Sequence, residues 1–91
     1  MNTLLIGYDL NEAGQDYKTL IDEIKELSGG TWWHHLDSTW LIRCELTAKQ
    51  VRDHLKQFID KNDELLVINV TADNWAGVGF EKYDWLHKHL A

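Results

Sequence analysis

Ninety-one residues, 44% apolar and 26% charged, suffice for one folded domain spanning 1–91 with one hydrophobic core, not for a disordered tail. Nine basic residues against fifteen acidic ones leave a formal charge of -6, which weighs against a surface built to wrap nucleic acid, since phosphate neutralisation needs a basic field. The single cysteine excludes an internal disulfide, and no apolar run approaches the roughly 20 residues that span a bilayer. The opening "MNTLLIGYDL" has no basic segment and too short an apolar stretch for a signal peptide, so the sequence reads as a cytoplasmic chain with no membrane partner.

The first strand is expected over Thr3–Asp9, and "NEAGQD" after it offers turn chemistry and a helix start. Tyr17, Leu20, Ile21, Ile24 and Leu27 recur at helical spacing, and Ser28-Gly29-Gly30 stops that helix because glycine takes the left-handed cap conformation readily. "TWWHHLDSTWLIRCEL" is rich in aromatic and β-branched residues and breaks at Asp37-Ser38, as a hairpin does. In its second arm Trp40, Ile42 and Cys44 share one face while Leu41, Arg43 and Glu45 share the other, the alternation of a sheet with one covered and one more polar face.

Thr47-Ala48-Lys49-Gln50 reads as a capping box, opening a helix that carries Val51, Leu55, Phe58 and Ile59 on one side and ends near Asn62. "ELLVINVT" has the length and character of another strand, and the tail spaces Phe80, Tyr83, Leu86 and Leu90 as a terminal helix does. Strand, helix, hairpin, helix, strand, with right-handed crossovers, predicts an α+β ferredoxin-like βαββαβ sandwich. Its four-stranded antiparallel sheet carries two helices on one face, with a C-terminal helix added. The face left over is expected to be covered by isologous pairing in a homodimer.

Asp9 is the residue that asks for a chemical explanation, since a buried-looking strand delivers a carboxylate to its own tip. Two routes are open. Asp9 caps the following loop through the backbone, as turn aspartates do, or it joins its mate across a two-fold axis to hold a divalent ion. Asn11, Glu12 and Asp16 either extend an acidic cluster or belong to a solvated loop. Ser38 in the hairpin turn and Arg43 farther along the arm are the candidate phosphate-binding residues, with a surface ion pair to Glu45 or Asp9 as the plainer role for Arg43.

The histidines do not converge. His34 and His35 are adjacent on a strand and point to opposite faces, His87 and His89 diverge on a helix, and His54 stands alone. The five tryptophans are read as core or dimer interface rather than as base-stacking platforms, because "TWWHHLD" carries no permanent positive charge. "NWAGVGF" lacks the rest of a phosphate-loop pattern and is a loop before a helix.

The opening strand ending in "YDL" resembles the small CRISPR-associated endonuclease of spacer acquisition, the virulence-associated protein D ribonucleases and ferredoxin-like antitoxin ribonucleases. Through "YDL" at 8–10, "STWLI" at 38–42, the capped second helix, "VTADNWAG" at 70–77 and the closing "DWL" at 84–86, the chain is more closely similar to a bacterial and phage branch labelled as SinR family proteins. The order of strands does not fit the helix-turn-helix regulator that label suggests. The resemblance implies a homodimeric, magnesium-dependent nuclease acting on RNA or DNA, with Asp9 as metal ligand and catalytic residue. Two functions therefore stand side by side: that nuclease, and a non-catalytic homodimeric interaction module of antitoxin-like or host–phage type on the same scaffold.

Overall fold

A computed structural model describes residues 1–11, 17–72, 74–79 and 83–90. The elements run β1 (Asn2–Asp9), α1 (Lys18–Leu27), β2 (Trp32–Leu36), β3 (Thr39–Cys44), α2 (Ala48–Leu55), β4 (Glu64–Val70) and α3 (Asp84–Leu90). They form an α+β fold in which a four-stranded antiparallel sheet has the order β2-β3-β1-β4. The first strand therefore lies inside the sheet, and β2 and β4 are its edges.

Each helix forms for a reason legible locally. The stripe of α1 buries Leu20 and Ile24 completely, with Tyr17, Ile21 and Leu27 packed around them. Gly29 and Gly30, at φ 59° and 92°, turn the chain back in a conformation that a side chain would resist. The capping box at α2 is complete: the Gln50 amide donates to Thr47 Oγ1 at 3.2 Å, and the Thr47 amide donates to Gln50 Oε1 at 2.9 Å. The α-helix that follows is shorter than its apolar stripe suggests, for it stops at Leu55, Lys56–Phe58 form a 3-10 turn, and Ile59 is extended. Asp60 and Asp63 end it. The Asp60 amide donates to Asp63 Oδ2 at 2.7 Å, and the Asp63 amide donates back to the Asp60 carbonyl at 3.0 Å.

One face of the sheet, formed by Leu4, Ile6, Trp40, Ile42 and Cys44, packs with Leu20 and Ile24 of α1 and Val51 and Leu55 of α2 in the main core. The other face is less polar than the alternation along β3 predicts. Strand register sets it out in rows: Arg43–Thr3–Val70, then Leu41–Leu5–Ile68, then Thr39–Gly7–Leu66, with Asp9–Glu64 at the tip. Trp33 extends the row of Leu41, and Leu36 extends the row of Thr39. Leu86 and Leu90 of α3 bury against Trp33 and Leu41, joined by Leu5, Val70 and Trp75, in a second apolar cluster. A single short helix thus covers the half of this face nearer the start of β1. No helix among the described residues is long and apolar enough to cross a membrane.

Candidate functional site

The row of Thr39, Gly7 and Leu66 lies beyond the cover of α3, and its neighbours stay open. Leu36, Leu66 and Ile68 are 48%, 58% and 46% exposed, an expensive arrangement for three large apolar side chains on one face. A cleft of about 410 Å³ runs beside them, lined among others by Leu5, Trp33, Leu41, Ile68, Trp75 and Leu86. Gly7 sits in the strand interior. A Cβ there would meet only Leu5 Cδ2, at an ordinary 3.8 Å, so packing inside the chain does not require glycine. A glycine inside a strand weakens the strand and often marks a close approach by another chain or ligand.

At the end of this trough Asp9 is exposed and stands directly opposite Glu64 in the β1–β4 register. Among the described residues neither carboxylate has an ion-pair partner. Like charges directly opposite one another repel, so the tip is a strongly acidic point on an already acidic molecule. Residues 7–9 and 64–66 frame a shallow second depression around the pair. Glu64 escapes sequence reasoning because its pairing with Asp9 is set by a register between distant strands.

The capping role for Asp9 finds no support among the described residues. Its carbonyl accepts from Asn11 Nδ2 at 3.4 Å, but the Asn11 amide is held by Asp63, with Oδ1 at 2.7 Å. Asp63 is the true organiser of this end. Its two carboxylate oxygens also accept the Tyr17 hydroxyl, at 2.8 and 2.9 Å, tying together the exit of β1, the approach to α1 and the approach to β4. Residues 12–16, which include Glu12 and Asp16, lie outside the described residues, as does Phe80.

Ser38 and Arg43 part company. The Tyr8 amide donates to the Ser38 carbonyl at 3.1 Å, which brings the β2–β3 turn next to Asp9. Arg43 pairs with Thr3 at the opposite end of β1, about 20 Å from the tip by strand rise. Its Nη1 donates to Thr3 Oγ1 at 2.9 Å and to the Met1 carbonyl at 3.3 Å, and pairs with neither Glu45 nor Asp9. Of the histidines, His54 joins Glu23 at 2.7 Å and so links α2 to α1, while His34 stacks on Trp40 with ring centroids 3.8 Å apart. No group of three or more His, Cys, Asp or Glu side chains converges among the described residues.

Asp63 carries a testable pH dependence. Desolvation opposes its ionised form, but hydrogen bonds from the Asn11 and Asp60 amides and the Tyr17 hydroxyl outweigh it and hold the carboxyl below its ordinary value of 3.8. A lowered folded-state value means that ionised Asp63 stabilises the fold above that ordinary value and loses its contribution as pH falls through the lower one. Asp63→Asn is expected to melt below wild type at neutral pH, because an NH2 group replaces an acceptor facing amide donors, and to lose less on acidification. Melting curves across the acid range that run parallel for the two proteins would remove Asp63 from this role.

No protein-family model matches this sequence, and no solved structure matches it significantly.

Proposed function

We propose that this chain is a homodimeric interaction module on a ferredoxin-like scaffold, and that its working surface is the open half of the second sheet face. The order β2-β3-β1-β4, in which β3 and β4 flank β1 antiparallel to it, supports the split βαβ arrangement of that scaffold. One observation carries the functional reading: Leu36, Leu66 and Ile68 stand exposed together around a glycine that the chain's own packing does not require. A second copy covers such a face most simply, since an isologous contact uses the same patch twice.

Light scattering or sedimentation at micromolar concentration is expected to give twice the chain mass. Leu66→Glu and Ile68→Glu, both at exposed positions, are expected to weaken self-association by about tenfold or more while leaving the circular dichroism spectrum unchanged. A wild-type chain that stays monomeric through that range overturns the reading.

The register of Asp9 opposite Glu64 favours a second reading, a metal-dependent nuclease in line with the family resemblance. The donor chemistry fits magnesium, which takes hard oxygen ligands and is commonly held by one or two carboxylates plus water and phosphate oxygens. Asp9 and Glu64 would hold the ion, and a bound ion supplies a polarised phosphodiester and a more acidic water. The acidic field works against this chemistry, because an RNA or DNA backbone would approach against a charge of -6. Magnesium or manganese added to the same samples separates the readings. A rise in melting temperature and a metal-dependent cleavage, both lost in Asp9→Asn, would support the nuclease, and indifference to both ions would leave the interaction module.

A further inference from the structure

We infer that two copies of this chain interlock, the α3 ridge of each filling the partner's open trough, with Lys88 of one copy against the Asp9–Glu64 carboxylates of the other. The inference rests on the homodimer reading and specifies its geometry. The second sheet face is a step, raised by α3 over the rows of Thr3 and Leu5 and open over the row of Gly7 to the tip at Asp9. A step is self-complementary under a two-fold axis lying along its edge, because each raised half then faces an open half.

The dimensions agree. The four residue steps from Leu5 to Asp9 span about 13 Å of strand, and a helix with its side chains is about 10–12 Å wide. The trough has the shallow floor that such a ridge needs, since Gly7 carries no side chain and its space is free of contacts other than Leu5.

Charge selects this arrangement over direct stacking of the two open halves. Face-to-face stacking of the open halves brings the two acidic tips together, so that Asp9 and Glu64 of both copies repel unless a cation intervenes. In the interlocked arrangement the axis runs along the step edge and the two tips lie on opposite sides of it. What each tip then meets is the outward side of α3, where Asp84, His87 and Lys88 are exposed while Leu86 and Leu90 face their own sheet. Burial, with Arg43 and Lys88 nearby, holds the His89 imidazole below its usual value, and Lys88 is the exposed lysine of the ridge. Among the described residues Lys88 makes no ion pair. Asp84, at the other end of the helix, is the ridge's acidic residue.

A charge-swap experiment by sedimentation equilibrium tests the contact. Lys88→Glu and Glu64→Lys are each expected to weaken dimerisation by about tenfold, and the double variant K88E/E64K to recover most of that loss. Both positions are exposed, so the variants keep the wild-type circular dichroism spectrum and a loss of dimer in a folded variant is a loss of association. A wild-type dimer that neither single variant weakens overturns the interlock while leaving the homodimer in place. A dimer that needs magnesium, is lost in Asp9→Asn and ignores Lys88→Glu overturns it in favour of stacked tips. A monomeric wild-type chain defeats the homodimer reading itself.

Discussion

Replacing Trp40 by alanine is expected to remove about 3–5 kcal/mol of stability, the usual cost of deleting a large buried aromatic. Small domains have only about 5–15 kcal/mol in total, so the variant stands near the limit of folding. Trp40 is fully buried at the centre of the main core, between the helices and the sheet. Its ring is stacked by His34 and flanked by Trp32 at 5.1 Å, and its Nε1 donates to the Tyr8 hydroxyl at 2.9 Å. Trp40→Phe keeps most of the volume and loses the hydrogen bond, so it should fall well short of the alanine loss. Urea unfolding followed by circular dichroism measures both. A loss under about 1 kcal/mol for the alanine variant would mean that the indole is not the keystone of this core.

The second large effect belongs to α3. Leu86→Ala and Leu90→Ala are each expected to cost about 2–5 kcal/mol, because both side chains are buried between the helix and the sheet. They share one cluster, so the double variant will not equal the sum of the two. Val78, 89% exposed in the loop that leads to the helix, supplies the control, and its alanine variant should stay within about half a kcal/mol of wild type. If α3 only grazes the sheet, Leu86→Ala and Leu90→Ala will resemble Val78→Ala. That outcome would also flatten the step on which interlocking depends.

The two predictions probe parts of the fold that differ in how plainly the sequence announces them. The α1 stripe, the glycine stop after it, the Asp37-Ser38 turn and the Thr47 capping box are decided by neighbours in sequence, and all of them stand where local reasoning puts them. The end of α2 is not local in that sense. Phe58 and Ile59 continue its apolar periodicity, but Asp63 binds the Asp60 amide, and the helix is cut short in favour of a turn.

The second face was hidden for a related reason. Leu41 and Arg43 alternate with core residues and so suggest a polar side, yet Leu5, Trp33 and Val70 come to the same face from three other segments. The candidate site follows suit. Asp9 is visible as an oddity within its own strand, Glu64 becomes its neighbour only through the β1–β4 register, and Arg43 is removed to the other end by the register with β3.

The position of β1 inside the sheet has a consequence for how the chain folds. The strand made earliest finds its partners late: Thr3 waits for Arg43 and Val70, and Asp9 waits for Glu64. Meanwhile α1 and the β2–β3 hairpin close over short distances. Pairing of such high contact order is slow, so Leu4, Leu5 and Ile6 must spend that interval unsheltered, as a short β-prone segment of the kind that nucleates aggregates. Natural sequences flank such segments with charged gatekeepers. Asp9, set at the end of "LLIGY", occupies the position of such a gatekeeper.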